Sequence, residues 1–90
     1  MQTIWKFTLR PDGGRVEMPV AAKPLSVAFQ GEELRLWAIV SDDPDLPRER
    51  RTFEVYGTGH EMPEPSIVQR DFIGTAFHPA GLVFHVFERR

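Results

Sequence analysis

The sequence predicts an all-β fold: about seven short, mostly antiparallel strands in a small sandwich or open barrel. Three observations predict it. Eight prolines and seven glycines punctuate the 90 residues, and the longest stretch free of both is Glu32 to Asp43. A proline inside a helix costs about 3 kcal/mol, so long helices are excluded almost everywhere. Between the breaks, apolar and polar residues alternate with a period of two. Turn signals return at roughly 8–12-residue spacing, the interval of a sandwich or barrel.

The elements follow in order. Ile4 to Leu9 alternates, with Trp5, Phe7 and Leu9 on one face and Ile4, Lys6 and Thr8 on the other. Pro11-Asp12-Gly13-Gly14 is a turn signal. Val16 and Met18 then alternate against Arg15 and Glu17, which predicts a hairpin with the first strand. Pro19 and Pro24 bracket a connection. Leu25, Val27 and Phe29 alternate with Ser26, Ala28 and Gln30, and Gln30 to Glu33 reverses the chain. Leu34 to Val40 is apolar except for Arg35; the flanking reversals and the Ile39-Val40 pair favour strand over a short helix. Ser41 to Pro47 is the clearest loop. Thr52 to Tyr56 is a strand with Phe53 and Val55 inward. Gly57 to His60 leads into a second loop holding Pro63 and Pro65. Gln69 to Phe77, a turn at His78 to Gly81, and Leu82 to Glu88 complete the chain.

Composition excludes several classes. Ninety residues make a single β domain over 1–90. A hydrophobic share of 41% argues against wholesale disorder. The absence of cysteine removes a disulfide scaffold, a thiolate zinc site and a cysteine nucleophile. There is no 18-residue apolar run, so no membrane is expected as a partner. The start, MQTIWKFTLR, lacks the apolar stretch of a signal peptide. A net charge of −2 argues against a DNA or RNA polymer. Nine arginines stand against two lysines. Codon bias in a GC-rich genome accounts for that; the sharper reading is that arginine is chosen where a planar fork must grip phosphate or carboxylate.

Several strands are apolar on both faces. Trp37 and Ile39 stand behind Leu34, Leu36, Ala38 and Val40. Val83, His85 and Phe87 stand behind Leu82, Phe84 and Val86. No predicted helix covers a second face, and exposed apolar area forfeits about 25 cal/mol per Å². The economical solution is another copy of the chain, so a homo-oligomer, a dimer or a tetramer, is expected. The alternative is that a loop such as Glu61 to Ser66 folds over the patch.

Residues for chemistry are sparse. His60, His78 and His85 match no metal-ligand spacing, so no metal and no cofactor are expected. His85 reads as a packed or interface histidine, and His78, before Pro79, as a solvated one. None of Ser26, Ser41 and Ser66 sits in a G-x-S-x-G elbow. The expectation is therefore a protein that is not an enzyme; the enzymatic alternative uses His60 with Glu61 or Glu64. Gly57-Thr58-Gly59-His60 is the most suggestive feature. Two glycines permit positive φ and close backbone approach, so successive N–H groups can form an anion-binding nest. Thr58 adds a hydroxyl, and His60 a ring that donates or stacks. The plain alternative is a turn or bulge. Arg48, Arg50 and Arg51 either balance Asp42, Asp43 and Asp45 in solvent or clamp phosphate. Trp5 and Trp37 are core residues, or flat surfaces at an oligomer seam that stack nucleobases.

Five strings occur together: Ile4-Trp5-Lys6-Phe7, Leu36-Trp37-Ala38, Phe53-Glu54-Val55-Tyr56-Gly57-Thr58-Gly59-His60, Phe72-Ile73-Gly74-Thr75 and Leu82-Val83-Phe84-His85-Val86-Phe87-Glu88. The combination resembles a family of small proteins from bacteriophages and actinobacteria, over nearly the whole chain. It is also similar to phage immune-evasion proteins that act as sponges for cyclic-oligonucleotide signals. Those proteins inhibit the anti-phage pathway CBASS by sequestering its messenger without cleaving it. The resemblance implies a small oligomer holding a cyclic oligonucleotide between subunits in the bacterial host cytoplasm. It carries no binding residue over to this chain. The candidates remain Gly57, Thr58, Gly59, His60 and Arg51 for phosphate, with Trp5 or Trp37 for a base. The competing expectation is a protein-interaction or virion accessory module with no small-molecule ligand.

Overall fold

A computed structural model describes residues 1–64 and 69–90. Seven strands run in order: β1 (Gln2–Leu9), β2 (Gly14–Pro19), β3 (Lys23–Gln30), β4 (Glu33–Ser41), β5 (Arg48–Gly57), β6 (Arg70–Phe77) and β7 (Val83–Arg89). Among the described residues there is no helix. Two antiparallel sheets pack face to face, one ordered β1-β4-β3 and the other β2-β5-β7-β6. The all-β sandwich read from the alternation is the observed architecture. Pro65 and Ser66 lie outside the described residues.

One expectation is corrected. The first two strands do not form a hairpin. β1 pairs with β4, from Gln2 opposite Ser41 to Leu9 opposite Leu34. β2 pairs with β5, from Gly14 opposite Phe53 to Pro19 opposite Arg48. The turn at Pro11 to Gly14 therefore carries the chain from one sheet to the other. Gly13, at φ +81°, packs so closely on β5 that a Cβ there would stand 2.7 Å from the Phe53 carbonyl oxygen. Side-chain chemistry explains the choice of partners. β4 is central and buries Leu34, Leu36, Ala38 and Val40. It gains most from apolar neighbours such as Phe7 and Leu9 of β1. In β2 the outward Glu17 stands opposite Arg50, an opposite-charge pair that β1 does not offer.

The core lies between the sheets. Rows from the first sheet, Phe7–Leu36–Val27 and Leu9–Leu34–Phe29, meet Phe53, Val86 and Ala76 of the second. The sheets close tightly on one side, where β3 meets β6. A Cβ on Gly74 would lie 3.0 Å from Val27 Cγ2, so only glycine lets these strands approach so far.

Both outer faces keep apolar side chains, as the doubled alternation predicted. On the first sheet Ile4 lies opposite Ile39, beside Trp37. On the second, two rows run across β5, β7 and β6, Glu54–Phe87–Phe72 and Tyr56–His85–Thr75, and Val83 pairs with Phe77 at the end of β7 and β6. Met62, Pro63 and Glu64 border this face beside Arg70 and Phe87. Phe72 and Phe77 nevertheless stay 60% and 71% exposed. The accessible surface, 6067 Å², exceeds the roughly 5,400 Å² that scaling gives for this mass.

Candidate functional site

The tetrad at the end of β5 is a tight turn. The Gly57 carbonyl accepts from His60 N–H at 3.0 Å, and Gly59 takes φ +86°. That hydrogen bond with positive φ at the third position marks a type II turn, which needs glycine there. Thr58 N–H donates to the Val83 carbonyl at 3.1 Å, tying the turn to β7. The His60 ring folds over Gly57, where a Cβ would stand 2.7 Å from its Cε1 and Nδ1. The N–H groups of Thr58 and His60 are thus spent within the chain. Of the donors expected for an anion nest, the turn engages the His60 N–H and β7 the Thr58 N–H.

The Thr58 hydroxyl is also engaged. Its Oγ1 lies 2.7 Å from His85 Nε2, and Thr75 Oγ1 lies 3.0 Å from His85 Nδ1. A neutral imidazole satisfies both hydroxyls, donating to one and accepting from the other. His85 is half-buried on the outer face of the second sheet, held between the two hydroxyls. His78 departs from expectation. Its Nδ1 accepts from Ala80 N–H at 3.0 Å, and its ring packs edge-on against Phe29 at 4.9 Å. It is half-buried rather than solvated.

Beside the turn opens a cavity of about 300 Å³, lined by Gly57, Thr58, His60, Gly81, Leu82, Val83 and Phe84. Sequence reasoning found one wall and missed the other. The missing wall is held by the β6–β7 turn, where His78 N–H donates to the Leu82 carbonyl at 2.8 Å. The signal for it lay in His78-Pro79-Ala80-Gly81, legible as a turn but not as a neighbour of Gly57. Leu82 is 56% exposed at the rim.

The other predicted site residues do not join this cavity within one chain. Arg51 lies on the same face of β5 as Gly57 but six residues away, at the core margin. Its Nε and Nη2 donate to Glu88 at 2.6 and 2.7 Å, and Nη1 donates to the Ala22 carbonyl. Hydrogen bonding to Glu88 holds the Arg51 guanidinium above its ordinary pKa. Arg51 is therefore neither the solvated charge nor the free phosphate clamp weighed above. Trp5 lies on the inner face of β1, with Arg48 Cζ 5.8 Å from its ring centroid. Trp37 stands on the outer face of the first sheet, opposite Lys6. Among the described residues no group of three His, Asp or Glu side chains is placed to hold a metal ion.

A polar cluster lies further along the outer face of the second sheet. Arg70 pairs with Glu54, and Tyr56 OH donates to Glu54 Oε1 at 3.1 Å. Burial and the bond to Glu54 raise the Tyr56 pKa above its ordinary value. The folded state thus holds the phenolic proton more tightly than the unfolded chain. That contribution is complete below about pH 10 and is lost as pH rises through the folded value. Tyr56→Phe is expected to flatten the alkaline limb of a stability–pH profile measured by urea titration, at a cost of about 1 kcal/mol at neutral pH. An unchanged alkaline limb would show that Tyr56 does not control it.

Comparison with known proteins gives one family match, described as "Domain of unknown function (DUF7352)", over residues 1–90. No curated protein and no solved structure matches the chain.

Proposed function

We propose, from the premise that this chain belongs to the DUF7352 family, that it is a non-enzymatic binding protein. It acts as a homo-oligomer and sequesters a cyclic-oligonucleotide immune messenger, in the manner of the phage CBASS sponges it resembles. The observation that carries this reading is the 300 Å³ cavity between the Gly57–His60 turn and Leu82 to Phe84. Gly81 in the lining has open space above its Cα, which permits close approach of a sugar-phosphate chain. The exposed His60 ring and Phe84 offer flat surfaces for a base. The volume is at the lower limit for ligand pockets. One subunit therefore accommodates one nucleotide unit, and a second copy is needed to enclose a cyclic dimer or trimer.

Isothermal titration against a panel of cyclic di- and trinucleotides tests the proposal. The expected result is micromolar or tighter binding with the ligand recovered intact. His60→Ala is expected to weaken it by about tenfold or more, the range of one lost stacking contact, while leaving thermal stability unchanged. No heat with any messenger at micromolar protein overturns the reading, and cleavage of the ligand overturns its non-enzymatic part.

A second reading rests on a different observation. Phe72 and Phe77 are 60% and 71% exposed on the outer face of the second sheet, beside Phe87 and Tyr56. A face of that kind suits a protein-interaction or virion accessory module. Capture of a specific host or virion protein that Phe72→Ser abolishes supports this reading over the first.

A further inference from the structure

The two sheets have four edge strands, β1 and β3 in one and β2 and β6 in the other. An edge presents unpaired N–H and C=O groups, and folded proteins blunt it with prolines, bulges, short length or charge. Three of these four edges are blunted. β3 carries Lys23, Pro24 and a register shift between Pro24 and Ser26. β6 is broken by a register shift between Phe72 and Gly74. β2 has 6 residues and ends at Pro19. β1 has none of these devices. Its 8 residues pair with β4 without interruption and include neither proline nor glycine. Its single charge, Lys6, is drawn back across β4, where Nζ donates to Gln30 Oε1 of β3 at 3.0 Å. The ammonium therefore does not guard the open side. Ile4 and Trp5 lie at this edge, 57% and 37% exposed.

We propose that β1 pairs antiparallel with β1 of a second copy, about a two-fold axis at Trp5, to give a continuous sheet ordered β3-β4-β1-β1-β4-β3. This rests on the homo-oligomer reading above and names its seam. The register follows from the sequence. Continuity of the two faces requires inward residues to meet inward ones, so the axis must pass through a residue. An axis at Trp5 overlaps Gln2 to Thr8 with itself, and one at Lys6 overlaps Thr3 to Leu9; any other position shortens the pairing. The Lys6 axis sets two ammonium groups directly opposite each other, which is unfavourable. The Trp5 axis instead places Ile4 opposite the partner's Lys6 and brings the two indoles together at the centre. It also joins the apolar strip of Ile4, Ile39 and Trp37 to its copy across the seam.

Two measurements test the seam. First, light scattering at micromolar concentration compares the wild type with Ile4→Lys and Ile4→Glu, both at an exposed position. The register expects a dimer for the wild type. It expects about tenfold weaker association for Ile4→Lys, which faces the partner's Lys6 twice per dimer. Ile4→Glu should associate at least as tightly as wild type. Second, the chain has no cysteine of its own, so a mixture of Gln2→Cys and Thr8→Cys chains should cross-link on mild oxidation, while neither variant alone does. An oligomer indifferent to Ile4→Lys, whose mixed cysteine chains stay separate, overturns the seam and leaves the homo-oligomer reading standing. A wild type that is monomeric overturns both.

Discussion

Phe53→Ala is expected to destabilise the fold by about 3–5 kcal/mol, the range for emptying a buried aromatic site. Phe53 is 1% exposed on β5, which lies between β2 and β7. Its cross-strand neighbours are Gly14 and Glu88. Gly14 has no side chain to move into the vacated space, and Glu88 is held by Arg51. The site therefore collapses poorly, which places the cost at the upper part of that range. A domain of this size has about 5–15 kcal/mol in total, so much of its stability depends on this ring. Urea titrations of Phe53→Ala beside Phe77→Ala make the comparison, because Phe77 is 71% exposed. The second variant is expected within about 0.5 kcal/mol of wild type. A loss below about 1 kcal/mol for the first places the core somewhere other than between these sheets.

The strands were legible because period-two alternation and turn residues are local signals. Trp5, Phe7 and Leu9, or Leu34 through Val40, declare a face without reference to any distant residue. Pairing is not local. Pro11-Asp12-Gly13-Gly14 looks the same whether the chain folds back on itself or passes to a second sheet. What decides is the competition between β4 and β2 for β1, together with the steric approach of Gly13 to Phe53. Neither can be read within one segment. The apolar backs of β4 and β7 were legible for the same reason as the strands, and they are only half-buried in the single chain.

The candidate site was half legible. Gly57 to His60 announces a turn, and the turn is present, but two of its N–H groups are engaged within the chain. The opposing wall, Gly81 to Phe84, comes from a hairpin more than twenty residues away. It reaches the site through the β5–β7 ladder, which sets Gly57 opposite Phe84, and through the bond from Thr58 to Val83. Arg51 misled because a sequence shows that an arginine is present but not what it faces. Alternation places Arg51 on the same face as Phe53 and Val55, and Glu88 on the same face as Val86. An inward arginine and an inward glutamate on neighbouring strands are a pair in waiting, and that signal was available.

That pair gives the second large effect expected. Arg51 and Glu88 side chains are 17% and 14% exposed, and two parallel hydrogen bonds join them. Removing one partner strands a mostly buried charge, so Glu88→Ala is expected to cost about 2–3 kcal/mol, somewhat below the value for a fully buried pair. Arg51→Ala is expected to cost at least as much, because Nη1 also holds the Ala22 carbonyl. That carbonyl belongs to the β2–β3 connection, where Ala21 sits at φ +61°, an unfavourable region for a residue with a Cβ. The double variant is expected to cost less than the two single changes together, with a coupling of about 1–2 kcal/mol by urea titration. The cycle bears directly on the ligand. Coupling of that size means Arg51 is a structural cation, and its variants lose stability in the absence of any nucleotide. Zero coupling means the guanidinium is free of Glu88 in solution, which returns Arg51 to the phosphate-binding role its sequence position first indicated.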